Sequence, residues 1–107
     1  MYLARAFFHE REFADAVEKV EQKLRQSGDV IRIRHELDYD STGDPAVYFR
    51  ILMPDSSLTK DKLLRATDDV ANVLARDLHP EEQWGVNPYF TFRAQSEQEA
   101  MQEPSWA

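Results

Sequence analysis

The residues of this 107-residue chain that could do chemistry are three histidines, scattered carboxylates and a group of arginines interleaved with tyrosines. His9, His35 and His79 fall in three different predicted elements, and no two share the i, i+4 spacing that sets a pair of imidazoles on one helical face. Each has a structural role instead. His9 reads as solvated, His35 as a core-side polar residue with a hydrogen-bond partner, and His79 as a cation near a helix C-terminus. No metal is expected. The absence of Cys excludes disulfides, cysteine-ligated zinc and thiol catalysis. Asp68-Asp69 and Glu81-Glu82 are adjacent pairs, and adjacent helical residues do not face each other. Gly28, Gly43 and Gly85 each stand alone, so no phosphate-cradling loop is predicted. The serines fall in predicted turns or near the end of the chain, never at a nucleophile elbow. These patterns predict no catalytic residue, no cofactor and no enzymatic activity.

The arginines and tyrosines form a group of another kind. Arg32 and Arg34, Tyr48 and Arg50, Tyr89 and Arg93 occupy alternate positions of three predicted strands, which puts all of them on one sheet face. Guanidinium forks beside phenol rings suit carboxylate or phosphate recognition and base stacking. The same face also holds Glu36 and Asp38, which could pair with Arg50 and Arg34; exposed pairs of that kind contribute about 0–1 kcal/mol. Charge separates the partner classes. The chain is net −7, residues 1–28 balance, and residues 29–53, 54–83 and 84–107 are each net acidic. A general electrostatic grip on a phosphate backbone is therefore not expected. The expected function is a non-catalytic interaction module that binds a protein partner or a second copy, with nucleic-acid or anion binding through the Arg/Tyr face as the alternative.

Periodicity predicts the elements that position this face. Phe13, Val17, Val20 and Leu24 form one apolar stripe at helical period, predicting a helix over residues 10–26 that Gly28 terminates. Leu3, Ala6 and Phe7 either extend that stripe upstream or form a strand. Over residues 30–39, Ile31, Ile33, Leu37 and Tyr39 point one way with His35 among them, against Arg32, Arg34, Glu36 and Asp38. The turn formers from Asp40 to Pro45 predict a hairpin into a second strand, residues 46–53. Val47, Phe49, Ile51 and Met53 face its core side. The opposite side is also apolar apart from Arg50, so this strand should be central or covered. Ser57 or Thr59 is expected to cap the next helix, whose buried stripe is Leu63, Ala66, Val70, Val73, Leu74 and Leu78. His79-Pro80 ends it. A last strand spans residues 89–94, with Pro88 at its threshold as at an edge.

The order α-β-β-α-β predicts an α+β two-layer sandwich, two helices on one face of a three-stranded sheet, formed by residues 1–94 as a single domain. A right-handed crossover would set the third strand beside the second and parallel to it, the preferred placement because the second strand reads as the most buried; the alternative sets it beside the first, antiparallel. This order resembles that of KH-type RNA-binding modules, but the GXXG loop and basic groove of that family are missing, as is the RNP pattern of RRM platforms. Gly43-Asp-Pro-Ala46, Pro88-Tyr-Phe-Thr-Phe-Arg93 and the strings Ser96-Glu-Gln98 and Pro104-Ser-Trp-Ala107 resemble small uncharacterised bacterial α+β proteins. Some of these belong to toxin–antitoxin-like two-gene systems beside HEPN-type partners. The resemblance implies a protein partner and assigns no functional residue.

Residues 95–107 carry Glu97, Glu99 and Glu103 together with Met101 and Trp106, an unusual composition for a solubilising tail. They are expected to pack on their own sheet or on a partner, with Trp106 as anchor and the glutamates toward Arg32, Arg34, Arg50 and Arg93. No apolar run reaches the roughly 20 residues of a membrane span. The segment from Met1 to Glu10 is too short and too soon charged for a signal peptide. No membrane partner and a cytoplasmic location are expected.

Overall fold

The computed structural model describes residues 3–107, so of the first ten residues Met1 and Tyr2 lie outside the description. Its sheet is arranged around the most apolar strand. β2 (Pro45–Met53) lies between β1 (Arg32–Tyr39), antiparallel to it, and β3 (Asn87–Ala94), parallel to it. Central placement follows from composition. Val47, Phe49, Ile51 and Met53 are buried on one face, and Ala46 and Leu52 are buried on the other. Of the two expected placements of the third strand, the preferred one, parallel beside the second, is formed. β3 begins at Asn87, so Pro88 lies inside an edge strand, where the missing N–H costs least.

The core face of the sheet follows from register. Ile33, Ile51 and Phe92 form one row, and His35, Phe49 and Phe90 the next. Phe49 and Phe90 stack at 5.5 Å. Over these rows lie α2 (Glu10–Gln26) and α3 (Leu63–Leu78), the two predicted amphipathic helices, joined by an ion pair from Lys23 to Asp77 at 2.9 Å. The architecture is the α+β fold expected, with the order α-β-β-α-β among its principal elements.

Several local details differ from the sequence reading. Leu3, Ala6 and Phe7 neither continue α2 nor form a strand. Arg5–Phe8 is a separate short helix, α1, set off where His9 leaves the helical region at φ −124°, ψ 52°. Neither Ser57 nor Thr59 caps α3 with its hydroxyl. Ser57 closes a 3-10 turn over Asp55–Ser57, and Thr59 acts through its carbonyl, which accepts from Leu63 N–H at 2.9 Å. Leu63, in the first turn, stays 41% exposed and outside the stripe. After α3, His79 turns left-handed at φ 47° and Pro80 starts a further helix, α4 (Pro80–Trp84). Proline suits that first position, because its missing N–H is one that the first turn leaves unpaired.

α4 delivers Trp84 to the centre of the core. Phe13 meets the Trp84 ring at 5.1 Å and the His35 ring at 5.4 Å, both edge to face. Arg5 covers the outer side of Trp84 at 4.6 Å and donates to the Gln83 carbonyl at 3.2 Å. His35 was expected to have a hydrogen-bond partner; its neighbour is the Phe13 ring instead, and no hydrogen bond to its imidazole occurs among the described residues. Burial therefore acts on it without compensation and lowers its pKa from the ordinary 6.5.

Phe13→Ala removes the ring that joins α2, α4 and β1, and is expected to cost about 3–5 kcal/mol in denaturant unfolding. The His35 shift sets a pH dependence. The unfolded chain binds the proton more readily, so stability is full above about pH 6.5 and declines as pH falls toward the lower folded value. Thermal melts over that acidic range should show the decline, and His35→Leu should flatten it.

Candidate interaction face of the sheet

The face opposite α2 and α3 is laid out in rows by the same registers. Arg32, Leu52 and Arg93 form the first, Arg34, Arg50 and Thr91 the second, Glu36, Tyr48 and Tyr89 the third, and Asp38, Ala46 and Asn87 the last. The sequence-predicted residues Arg32, Arg34, Tyr48, Arg50, Tyr89 and Arg93 thus share one face, and the chain itself divides that face in two.

One half is covered by the chain's own C-terminal segment. Gln95–Met101 forms a helix, α5, and Pro104–Trp106 a 3-10 turn that lies against β2. Trp106 is 5% exposed, and the Arg93 guanidinium sits 4.3 Å from its ring centroid. Arg93 also donates to Gln98 Oε1 at 2.9 Å and to Glu103 Oε1 at 3.1 Å. Gln98, itself buried, donates in turn to the Glu103 carbonyl at 2.8 Å, and no buried side-chain polar atom of this joint is left unpaired. Arg32 Nε donates to the Trp106 main-chain oxygen at 3.1 Å, and Arg34 Nε to that of Ala107 at 2.7 Å.

The expected glutamate–arginine pairing holds for Glu103 alone. Glu97 accepts from Ala94 N–H at 3.2 Å at the start of α5, and the neighbouring Ser96 N–H donates to Asp55 Oδ1 at 3.0 Å. That main-chain donor holds the Asp55 carboxyl below its ordinary range. Arg32 and Arg34 donate to main-chain oxygens rather than to the glutamates of this segment.

The other half stays open. Arg50 pairs with Glu36 at 2.7 Å, diagonally across the hairpin. Asp38 accepts from the adjacent Tyr39 N–H instead of meeting Arg34, which lies on the same strand. Tyr48 and Tyr89, opposite each other in the parallel register, stack at 5.2 Å with their planes 18° apart. Tyr89 is 42% exposed.

Asp40, in the hairpin turn, closes this end of the face. It accepts from the Thr42 hydroxyl at 2.6 Å and from the Asp44 N–H at 3.0 Å, and further from Tyr89 at 2.9 Å and Asn87 at 3.3 Å. These donors, Thr42 first, hold its carboxyl well below the usual range, and the same carboxylate raises the Tyr89 phenol. No sequence pattern marks Asn87 or Gln98 as part of this face. Asp40 was visible as a turn residue, but its reach to β3 depends on a pairing that no local pattern encodes.

The histidines do not converge. His9 lies 3.5 Å from Glu12 and His79 3.4 Å from Glu82, each within its own helical end, while His35 faces the core. No group of three potential metal ligands occurs among the described residues. No protein-family model matches the chain, and no curated protein matches it.

Truncation after Ala94 exposes Leu52 and strips Arg32, Arg34 and Arg93 of their acceptors, so the melting temperature should fall. Trp106→Ala should reproduce most of that loss, on the order of 2–3 kcal/mol from area. Glu103→Gln should cost under about 1 kcal/mol. Differential scanning calorimetry of the three variants checks the ranking.

Proposed function

We propose that this chain is a non-catalytic protein-interaction module that works in the cytoplasm and binds a protein, or a second copy of itself, with the open half of its sheet face. The observation that carries this reading is the stacked Tyr48–Tyr89 pair beside Arg50, presented to solvent on β2 and β3 next to a segment already anchored by Trp106. Tyrosine and arginine are the residue types on which interface energy concentrates, because each offers a large rigid contact area with a polar tip. Their strand backbones are held by the sheet, so little ordering is needed on binding.

The division of the arginines weighs against the nucleic-acid or anion alternative. Arg32, Arg34 and Arg93 are turned onto the C-terminal segment, and Arg50 onto Glu36. What remains toward a phosphate backbone is a face whose guanidinium donors are already engaged, on an acidic chain. No helix among the described residues is long and apolar enough to cross a membrane.

The resemblance to proteins of two-gene systems makes the product of the neighbouring gene the first partner to test. Co-expression with that product should give a complex by size exclusion and light scattering. Tyr48→Ser with Tyr89→Ser should weaken it at least tenfold while leaving the circular dichroism unchanged. A chain that binds neither that product nor, through Tyr48 and Tyr89, a second copy overturns the reading, and a mobility shift of single-stranded RNA lost in Arg50→Ala would favour the alternative.

A further inference from the structure

The outer edge of β1 is a second surface on which the chain leaves bonding groups toward solvent. Alternate residues of an antiparallel strand turn their N–H and C=O groups to alternate sides, so Ile33, His35, Leu37 and Tyr39 direct theirs away from β2. Both ends of this edge are occupied by carboxylates of the chain. Ile33 N–H donates to Glu21 Oε2 at 2.7 Å, and Tyr39 N–H to Asp38 Oδ1 at 2.7 Å. Between them, His35 and Leu37 lie along two grooves that separate β1 from α2. One groove, of 320 Å³, reaches toward Ile33 and Glu18, and the other, of 390 Å³, toward Leu37 and Arg11; both meet at Ala14 and His35. A strand edge in this condition is a template for another strand.

Charge order along β1 indicates which strand. Arg32 and Arg34 occupy one end of its solvent side, and Glu36 and Asp38 the other. A strand ordered in this way is complementary to its own antiparallel copy. With the two-fold axis at His35, Arg34 faces the partner's Glu36, whose Oε1 stays on its own Arg50, and Arg32, held through Nε on the Trp106 oxygen, faces the partner's Asp38; symmetry repeats each pair. An axis at Glu36 would instead set two carboxylates face to face. Arg34 bonds Ala107 through Nε, and its Nη1 lies toward this edge, 4.0 Å from Glu21. On α2, Arg11 and Glu18 lie on either side of Ala14, with Glu10 and Glu21 farther out along the same grooves, and the small Ala14 side chain lets a second helix approach. In this register the partner's Leu37 carbonyl replaces the Glu21 carboxylate at Ile33 N–H.

We propose that the β1 edge is a homodimerisation surface, on which two copies pair antiparallel about His35 into one continuous sheet with their α2 helices side by side. It does not rest on the sheet-face reading, since Tyr48 and Tyr89 lie on β2 and β3. Light scattering on the full chain over a concentration series should show the mass of two chains. Amide exchange at His35 and Leu37 should slow as concentration rises. Arg34→Glu should halve the apparent mass, and adding Glu36→Arg should restore it by reversing the charge order. Because Arg34 also holds the C-terminal segment, Ala14→Arg on α2 gives an independent test and should likewise halve the mass. Tyr48→Ser with Tyr89→Ser should leave the dimer intact. A one-chain mass throughout the series, or a two-chain mass unaffected by Ala14→Arg, overturns the proposal.

Discussion

A strand that is apolar on both faces must be covered on both faces, and β2 imposes that constraint on everything else. Val47, Phe49, Ile51 and Met53 need the helical layer, while Ala46 and Leu52 need something on the side that a two-layer sandwich leaves to water. At Leu52 the chain meets that need with its own last residues. Trp106 and the 3-10 turn lie over the Leu52 end of the face, and three arginines that would otherwise point into solvent become their fasteners. Cover and fastener depend on each other: without the segment the guanidinium groups lose their acceptors, and without the arginines a short turn has only one ring to hold it.

The electrostatic character of the molecule follows from this arrangement rather than from composition. Counted along the chain, the sheet face is a cationic cluster in an acidic protein. In the folded chain it is a set of satisfied donors, because main-chain oxygens of Trp106 and Ala107 accept from Arg32 and Arg34, while Glu103 pairs with Arg93 and Glu21 lies beside Arg34. What is left for contact with another molecule is the aromatic half, where ring area and a single Arg–Glu pair count for more than net charge.

How much of this was legible depends on whether the deciding interaction is local. The α2 helix was readable end to end, since Phe13, Val17, Val20 and Leu24 repeat along one stripe and Gly28 at φ 82° stops it. The centrality of β2 was readable from its two apolar faces, and with it the preference for a parallel β3. The break at His9 was not, because Ala4 and Ala6 are small enough to be buried in either continuation. α4 was hidden because Pro80, read as a terminator of α3, also starts a helix. On the sheet face, type and spacing placed six side chains together, but not their partners. A main-chain oxygen carries no sequence signature, and Asp40 meets Tyr89 across 49 residues.

That last span has a consequence for the order in which the molecule assembles. The β1–β2 hairpin closes through a short turn, so its loop entropy is small and it can form early. β3 must wait for α3 and α4 to fold back, and the C-terminal segment must wait for β3, since Arg93 is its anchor point. Asp40 belongs to the earliest unit and Tyr89 to a late one. Their bond is therefore a checkpoint on register: a β3 strand that slips by one residue turns Tyr89 to the core face and leaves the turn carboxylate without its distant donors.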